Sequence, residues 1–350
     1  MSDLSTHSQQ TKILLVKLSS LGDVLHNLPI VWDLRARLPN AQIDWVVEEG
    51  YVHLLTPLLS KDGFRGIDRI IPFGLRRWKK NLLKLSTWKE FFAFKKILQE
   101  TSYDVVIETQ GLLKSAIVCS LAKKTPNAVI AGLANATEFS GYEPIARSFY
   151  NQSVQVPIQC HAVDRSRWVM CSALDWPLLE RTSAPQFYPN QYIQSLQLPG
   201  KPITQQLAAP YVLCFHSTAR EAKRWPSSHW VALGKTLATQ GYQVVLPWGN
   251  LAEQAVSKEI AAQIPNALVP PAFSIEDAFA VIAGAALTVG VDTGLTHLAA
   301  VLNKPTVEIY CDSPLWKTEG YWSSNIRNVG DIQKPPSVEQ VLQAATELLS

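Results

Sequence analysis

Short apolar runs alternate along the chain with segments of helical spacing. The first run spans residues 12–17, and the helical pattern after it continues to Leu38, where Pro39 and Asn40 end it. Apolar strands that alternate with helices are typical of a parallel sheet with helices on both faces. The pattern predicts further strands over residues 43–47, 104–108, 128–131, 211–215, 242–246, 287–291 and 306–310, and helices over residues 112–123, 228–239, 251–263 and 295–301.

The alternation stops between residues 185 and 210, where Gln, Pro and Tyr become frequent, and it restarts afterwards. Such a change in composition is typical of a linker, and 350 residues are enough for two cores. We therefore predict two α/β domains of similar size. The predicted boundaries are a disordered leader over residues 1–11, an N-terminal domain over 12–184, a linker over 185–209, a C-terminal domain over 210–335 and a final helix over 336–350 that can pack back on the N-terminal domain.

The composition is that of a soluble globular protein, with 47% hydrophobic and 17% charged residues. The five cysteines are scattered without a C-x-x-C pair, which argues against a zinc site or a disulfide framework and favours a reducing compartment. No apolar run approaches the length of a membrane span, and the polar first residues lack the apolar region of a signal peptide. We therefore expect a cytoplasmic protein.

Positive charge is concentrated in one stretch of the chain. The net charge is only +3, which gives no sign of a nucleic-acid partner, but residues 65–96 contain ten Lys and Arg and only two acidic residues. Residues 75–98 interleave these cations with Trp, Phe and Leu, as segments at a membrane interface do. A solvated helix face is the alternative interpretation. The sequence thus predicts a patch that binds an anionic ligand or a membrane surface.

Polar residues follow the predicted strand over residues 287–291. Asp292, Thr293 and Gly294 form a turn before a helix, and the free N–H groups and the dipole at a helix start favour phosphate. His297 lies four residues after Thr293, so both side chains can face one ligand. In the alternative interpretation, Asp292 or Thr293 only caps the helix. Asp-Thr-Gly also occurs in aspartic proteases, but those need two such carboxylates on an all-β scaffold, so that function is rejected.

Two other predicted strand ends carry groups that suit a nucleotide diphosphate. Ser217, Thr218 and Lys223 follow the strand over residues 211–215. Because ligands of open α/β sheets bind outside the carboxyl ends of the strands, these residues and Asp292 are expected on one rim. Glu253 comes soon after another strand and would accept hydrogen bonds from ribose hydroxyls. The alternative is a solvated Glu253 that the helix dipole favours.

Asp23 follows the first strand, in the segment Ser19–His26. A carboxylate at a strand end is a candidate general base. In the alternative interpretation it belongs to a turn or caps a helix. No Asp-x-Asp pair occurs in the chain, so the usual carboxylate ligands of a metal-bound diphosphate are missing, and we expect no metal or other cofactor.

In their order along the chain, these motifs resemble those of the lipopolysaccharide heptosyltransferase I family. The resemblance covers roughly residues 12–330 and rests on the segments KILLVKLSSLGDVLHNLP, IDWVVEEGY, IPFGLRRWKK, ETQGLLKSA, HSTAREAKRWP, LPWG and VGVDTGLTHLAA. It implies the GT-B fold, in which two Rossmann-like domains with parallel sheets face a central cleft. It also implies an inverting transfer of L-glycero-D-manno-heptose from ADP-heptose to the inner Kdo of Kdo-lipid A, at the cytoplasmic leaflet of the inner membrane.

The resemblance further implies a role for each candidate residue. It makes Asp23 the base that deprotonates the acceptor hydroxyl, and it places Lys223 at the donor diphosphate, where its charge stabilises the leaving group. The other implied donor-binding residues are Ser217, Thr218, Glu253, Asp292, Thr293, Gly294 and His297. The implied acceptor-binding residues are Arg76, Arg77, Lys79, Lys80 and Lys114. The cation and the helix N-terminus would replace a metal ion.

Two positions depart from the family pattern, and two other functions stay open. Ala219 stands where many relatives have a second Thr, and Tyr142 stands where an Arg is common. One alternative is heptosyltransferase II, although the segments WVVEEGY and RRWKK favour heptosyltransferase I. The other is a nucleotide-binding protein without transferase activity, which would bind ADP and tolerate the loss of Asp23.

Overall fold

The chain divides into two compact units that differ in part from the predicted domains. The computed structural model describes residues 10–61, 63–179, 184–196, 206–208 and 210–350. Unit 1 comprises residues 1–19 and 27–180, and unit 2 comprises residues 20–26 and 181–350. The predicted leader over residues 1–11 lies outside the described residues except at its last two positions, and so does much of the predicted linker over residues 185–209.

Most α-helices of the described residues connect consecutive strands, and they include the helices that the sequence predicts. In chain order they are α1 (Leu21–Leu25), α2 (Pro29–Arg37), α3 (Val52–Leu55), α4 (Leu75–Lys79), α5 (Leu85–Leu98), α6 (Leu113–Leu121), α7 (Ala162–Ala173), α8 (Asn190–Ser195), α9 (Ser227–Thr239), α10 (Leu251–Ala261), α11 (Ile275–Gly284), α12 (Gly294–Val301), α13 (Leu315–Thr318) and α14 (Val338–Leu349).

Unit 1 contains a parallel sheet whose central strands, β1, β2 and β4, are almost entirely buried. Its described strands are β1 (Lys12–Val16), β2 (Gln42–Glu48), β3 (Arg69–Phe73), β4 (Tyr103–Glu108), β5 (Lys124–Leu133) and β6 (Gln152–Val154). Their order in the sheet is β3-β2-β1-β4-β5-β6, which is the Rossmann arrangement. The order reverses between β1 and β4, so the residues after these two strands border a crevice at the edge of the sheet.

Unit 2 contains a second parallel sheet, with a flavodoxin-like strand order. Its described strands are β7 (Tyr211–Phe215), β8 (Gln243–Val245), β9 (Leu287–Val291), β10 (Thr306–Tyr310) and β11 (Ile326–Gly330). The order is β11-β10-β9-β7-β8, and it reverses between β7 and β9. Phe215 lies opposite Gly290 in the parallel register of these strands. The predicted fold class, two Rossmann-like α/β units with parallel sheets, is therefore confirmed.

The first helix groups with unit 2, whereas the sequence places it in the N-terminal domain. Helix α1 packs on the start of α12, and the approach is close because Gly294 has no side chain. A Cβ atom at Gly294 would lie 2.6 Å from Cδ2 of Leu21 and 2.8 Å from its Cβ. The segment Ser20–His26 is therefore tied to the C-terminal unit by side-chain contacts that lie far apart in the sequence.

The last helix packs against the sheet of unit 2. Val341, Ala344 and Ala345 of α14 are buried in the hydrophobic core of unit 2, and α14 contacts β9, β10, β11 and α9. The buried face of this helix thus packs on the C-terminal sheet, whereas its packing on the N-terminal domain stays a prediction. The physical reason for the observed packing is the apolar stripe of α14, which covers the face of the C-terminal sheet that would otherwise be exposed to water. Among the described residues, no helix combines the length and the apolarity that a membrane span needs.

Candidate functional site

The switch point between β7 and β9 brings two of the predicted segments together in unit 2. Strand β7 ends at Phe215 and is followed by Ser217 and Thr218, while β9 ends at Val291 and is followed by Asp292. The hydroxyl of Thr218 donates a hydrogen bond to the carbonyl oxygen of Asp292 at 3.3 Å. The predicted common rim of these two loops is therefore present in the structure.

A cavity of about 470 Å³ opens at this switch point. Four predicted donor residues line it, and the apolar part of its wall includes Trp248, which the sequence analysis did not select. The indole nitrogen of Trp248 donates a hydrogen bond to the carbonyl of Pro270 at 2.8 Å, which fixes the ring against the cavity. The described lining residues are Leu21, Phe215, Ser217, Thr218, Ala219, Pro247, Trp248, Gly249, Asn250, Glu253, Phe273, Ser274, Ile275, Thr293 and Leu295.

Asp292 is the centre of a buried network of charged groups. Lys223 donates a hydrogen bond to its Oδ2 atom at 2.5 Å, and Nε2 of His297 donates to its Oδ1 atom at 2.9 Å. Burial alone would raise the pKa of Asp292, but the hydrogen bond and charge of His297 and the charge of Lys223 lower it well below the usual value. Asp292 is therefore an ionised carboxylate that holds Lys223 in place.

His297 donates hydrogen bonds from both ring nitrogens. Its Nδ1 atom lies 2.8 Å from Oε1 of Glu308, and its Nε2 atom contacts Asp292. Burial alone would lower the pKa of His297, but the charge of Glu308 and the hydrogen bonds to Asp292 and Glu308 raise it to about 10. Because carboxylates only accept hydrogen bonds, His297 is an imidazolium at neutral pH.

Glu308 is a site residue that sequence reasoning missed. It lies in the middle of β10 with no solvent exposure, and it also accepts hydrogen bonds from the hydroxyl of Tyr310 at 3.1 Å and the amide of Gly320 at 2.9 Å. A signal was available, because Glu308 is the only charged residue in the buried run TVEIY. A buried carboxylate requires partners, and the run therefore pointed to a cation nearby.

A second histidine packs against this network. The ring centroid of His26 lies 4.9 Å from that of His297, and its Nδ1 atom donates to the carbonyl of Gly22 at 2.8 Å. Burial and the neighbouring charge of His297 lower the pKa of His26 to about 3, so it is neutral at pH 7. One neutral and one charged histidine therefore lie side by side next to the start of α12.

Asp23 caps α1 in this structure. Its Oδ2 atom accepts hydrogen bonds from the backbone amide of Ser20 at 3.0 Å and from the Ser20 hydroxyl at 2.8 Å. The structure thus shows the capping geometry that was the alternative to a catalytic role, and the two roles do not exclude each other. Asp23 lies in unit 2, and its charge acts on His26 three residues later. Its role as a base stays a prediction.

Glu253 and Ser217 line the cavity and are held by neighbouring groups. Glu253 accepts hydrogen bonds from the amide of Gly249 and the side chain of Asn250, both at 2.8 Å, so it belongs to the cap of α10. Ser217 is hydrogen-bonded to Nδ1 of His216 at 2.9 Å. Burial lowers the pKa of His216 to about 4, so a neutral ring orients the Ser217 hydroxyl.

The predicted acceptor residues lie in unit 1, and they differ in how their charges are balanced. Glu48 forms ion pairs with Arg76 at 2.5 Å and with Lys114 at 3.0 Å, while Arg77 pairs with Glu49 and Glu90. The remaining two, Lys79 and Lys80, form no ion pair with any carboxylate in the described part of the chain. The positive charge that is available to a ligand therefore lies mainly on these two lysines.

From the pKa values of three histidines we predict that the free energy of unfolding of unit 2 is greatest near neutral pH. The pKa of His297 is about 10 in the folded state against 6.5 in the unfolded chain, so its contribution is complete below pH 6.5 and is lost as the pH rises to 10. His26 and His216 have folded-state pKa values of about 3 and about 4, so stability is also lost as the pH falls below 6.5. Urea unfolding at a series of pH values, followed by fluorescence, measures the loss of stability of unit 2 on the acid side and on the alkaline side. A flat alkaline arm would contradict the imidazolium assignment.

Comparisons with known proteins agree with the fold. The model of glycosyltransferase family 9 (heptosyltransferase) matches residues 91–347. Lipopolysaccharide heptosyltransferase 1 of Pseudomonas aeruginosa is 37% identical over 329 residues, which are 94% of this chain and 86% of that protein.

Two solved structures of a family member resemble the whole chain. The Escherichia coli heptosyltransferase WaaC with ADP has a TM-score of 0.77 and 31% identity, and the match covers 97% of this chain and 100% of that one. WaaC with ADP-2-deoxy-2-fluoro heptose has a TM-score of 0.72 and 32% identity over 96% and 98% of the two chains. The chain therefore belongs to glycosyltransferase family 9, the heptosyltransferases.

Proposed function

We propose that this chain transfers L-glycero-D-manno-heptose, with inversion, from ADP-heptose to the inner Kdo of Kdo-lipid A. The observation that carries the proposal is the cavity at the switch point of unit 2, where hydroxyls, a helix N-terminus and a carboxylate line one space next to Lys223. These groups suit the three parts of a nucleotide diphosphate sugar. The relatives named above are heptosyltransferases, and one of them was solved with ADP-2-deoxy-2-fluoro heptose.

The donor would be held by groups whose positions are fixed. Thr293 and the N–H groups at the start of α12 suit the diphosphate, because helix starts attract anions. The hydroxyls of Ser217 and Thr218 face the same cavity. Glu253 has acceptor oxygens for ribose hydroxyls, and the ring of Trp248 offers an apolar wall for the base.

The carboxylates of the site differ in their suitability as a base. Asp292 is ionised, its two oxygens are engaged by Lys223 and His297, and its pKa lies well below the usual value, so it accepts a proton poorly. We assign the general base to Asp23, whose known hydrogen bonds are those of a helix cap. Asp292 and His297 are positioning residues that hold Lys223 toward the diphosphate.

The proposed reaction is a single displacement at the anomeric carbon of the heptose. Asp23 takes the proton of the Kdo hydroxyl as its oxygen forms the new bond to carbon. The bond from that carbon to the diphosphate oxygen breaks, and its electron pair leaves with ADP. Lys223 and the start of α12 stabilise the charge that grows on the diphosphate, a contribution that preorganised groups supply at low cost.

The direct test is transfer by the purified protein with both substrates. With ADP-heptose and Kdo-lipid A, mass spectrometry should show an acceptor product that has gained one heptose, together with free ADP. A product only with an acceptor that already carries heptose would favour heptosyltransferase II. Binding of ADP without any product from either acceptor would favour the non-catalytic alternative and would overturn the proposal.

Heptosyl transfer should persist after chelation of divalent ions. The physical reason is that, in the proposed mechanism, Lys223 and the N-terminus of α12 would supply the positive charge that a metal ion would otherwise bring to the diphosphate. Initial rates measured with an excess of EDTA should remain close to those with magnesium. Loss of activity in EDTA with recovery on adding magnesium would contradict this prediction.

The acceptor is proposed to bind the basic surface of unit 1. Replacing Arg76, Arg77, Lys79 and Lys80 by Ala should raise the KM for Kdo-lipid A and leave the affinity for ADP-heptose unchanged. The double variant of Lys79 and Lys80 should produce most of this effect, because the two arginines are already paired with carboxylates. Each cation near an anionic surface contributes on the order of 1 kcal/mol, and salt weakens it.

Ionic strength and a matched variant check that assignment. As the salt concentration rises, the KM for Kdo-lipid A should increase more steeply for the unmodified protein than for the variant with all four substitutions. Lys235 and Lys258 are exposed in unit 2. Replacing both by Ala makes the same charge change as replacing Lys79 and Lys80, and it should leave the KM for Kdo-lipid A unaltered. A loss of ADP-heptose affinity with an unchanged acceptor KM would contradict the placement of the acceptor on unit 1.

We also propose that the protein works at the cytoplasmic leaflet of the inner membrane, where a lipid-anchored acceptor would be found. The support for this is the basic surface of unit 1, since anionic lipids attract clustered Lys and Arg.

A further inference from the structure

Unit 1 exposes a dense group of large apolar side chains beside the basic surface. Leu83 is fully exposed, and Leu85 keeps 81% of its surface in contact with solvent. The remaining members are half exposed, and we call the set the apolar patch: Leu82, Leu83, Leu85, Trp88 and Phe92. Solvent-exposed clusters of this kind mark interaction sites rather than ordinary surface.

The patch adjoins the hydrophobic core through Phe91, whose ring contacts those of Trp78, Trp88 and Phe92. The core side of the same region is formed by Trp78, Phe94 and Leu98, which are buried against Phe73. Helix α5 therefore has two apolar faces, of which one stabilises unit 1 and the other faces solvent. The second face needs an explanation that folding of unit 1 does not provide.

Hydrogen bonds hold the patch in place. The carbonyl of Asn81 accepts from the amide of Lys84 at 3.0 Å and from the hydroxyl of Thr87 at 2.8 Å. The indole nitrogen of Trp88 donates to the carbonyl of Leu82 at 3.0 Å. Because this donor is already satisfied within the turn, the Trp88 ring can enter an apolar phase without leaving it unpaired.

Exposed lysines flank and interrupt the apolar patch along the chain. Lys79, Lys80, Lys84 and Lys89 form no ion pair with a described carboxylate, and the nearest acidic residue, Glu90, is occupied by Arg77 and by the indole of Trp78. The segment over residues 79–92 therefore combines exposed apolar side chains with cations that no described carboxylate neutralises. This combination complements a surface that has anionic groups above a hydrocarbon layer.

We propose that the apolar patch inserts into the interfacial layer of an anionic lipid bilayer while the neighbouring lysines contact the lipid headgroups. This inference rests on the proposed function only in assigning the bilayer to the inner membrane. It concerns binding of the protein to lipid, and it does not require that the acceptor be present. If the patch bound a partner protein or a second copy of this chain instead, the lysines beside it would have no anionic groups to contact unless the partner's surface were acidic.

Sedimentation with vesicles tests the proposal. The full chain is mixed with vesicles of phosphatidylethanolamine and phosphatidylglycerol, which contain no Kdo-lipid A, and with vesicles of phosphatidylcholine. We expect binding to the anionic vesicles that is at least ten-fold tighter than to the neutral ones and that weakens with salt. No binding of the full chain to the anionic vesicles would overturn the proposal.

Two variants separate the apolar contribution from a general effect of charge. Leu83→Asp with Leu85→Asp should reduce vesicle binding at least ten-fold, whereas Ile145→Asp with Ile158→Asp, at exposed positions elsewhere on unit 1, makes the same charge change and should reduce it far less. Equal binding by the first variant and the unmodified chain would overturn the proposal. Equal loss in both variants would also overturn it, because charge alone would then explain the binding.

Fluorescence and oligomeric state give two independent readings. The emission of the unmodified chain should be quenched by brominated lipids in the anionic vesicles, and Trp88→Leu should remove most of that quenching while binding persists. Quenching that is unaffected by this change would overturn lipid insertion. A dimer in sedimentation equilibrium that Leu83→Asp with Leu85→Asp dissociates would also overturn it, because the patch would then be buried between two copies. Transfer of heptose to an acceptor without acyl chains should be the same in the Leu83→Asp, Leu85→Asp variant, so loss of lipid binding and failure of the proposed function can be told apart.

Discussion

Asp23→Asn should lower the turnover of heptosyl transfer about 100-fold or more while the affinity for ADP-heptose stays nearly unchanged, which is the usual scale for the loss of a general base. The amide cannot take the proton of the acceptor hydroxyl. Its oxygen can still accept the hydrogen bond from the amide of Ser20, so the start of α1 keeps its cap. Steady-state rates with both substrates, together with calorimetric titration of ADP-heptose, measure the two quantities separately.

Ser20→Ala is the matched control for this prediction. It removes the hydroxyl that binds Asp23 but leaves the carboxylate and the backbone amide of residue 20. We expect a much smaller loss of turnover than in Asp23→Asn. Near-normal turnover of Asp23→Asn would remove Asp23 from the mechanism. Equal losses in the two variants would show that the geometry of the cap, and not the proton acceptor, is what matters.

The strands that form the candidate site were predictable because they are short apolar runs with clear ends. The predicted strands over residues 211–215, 287–291 and 306–310 coincide with β7, β9 and β10. Strands at the edges of the sheets carry a weaker signal. Strand β3 contains the exposed Pro72, and β11 is mostly half buried, so neither shows a continuous apolar run.

The residues at the rim of the cavity could likewise be predicted, whereas the buried contacts around His297 could not. Parallel strands bring their carboxyl ends to one edge, so Thr218 and Asp292 could be placed together from the strand pattern alone. The contact of His26 with His297 joins residues that are far apart in the chain and depends on the packing of α1 on α12. Local sequence contains no information on that packing, which also explains why residues 20–26, which group with unit 2, were assigned to the N-terminal domain.

Glu308→Leu should reduce the unfolding free energy of unit 2 by about 3–5 kcal/mol, the usual cost of removing one partner from a buried ion pair. The change leaves the Nδ1 proton of His297, the hydroxyl of Tyr310 and the amide of Gly320 without their common acceptor. A domain is stabilised by only about 5–15 kcal/mol in total, so the loss would be a large fraction of it. Urea unfolding at pH 7 measures the change.

Glu308→Gln is the control that separates charge from hydrogen bonding. The loss of one neighbouring carboxylate should lower the pKa of His297, and the neutral ring would keep its proton on Nε2 for Asp292. The amide of the new side chain can then donate to Nδ1 while its oxygen accepts from Gly320, so every group keeps a partner. We therefore expect a smaller loss of stability than in Glu308→Leu, and an alkaline arm of the stability profile that is flatter than in the unmodified protein. A Glu308→Leu variant as stable as the unmodified chain would show that the buried carboxylate does not hold the imidazolium. An alkaline arm that Glu308→Gln leaves unchanged would show that another group produces it.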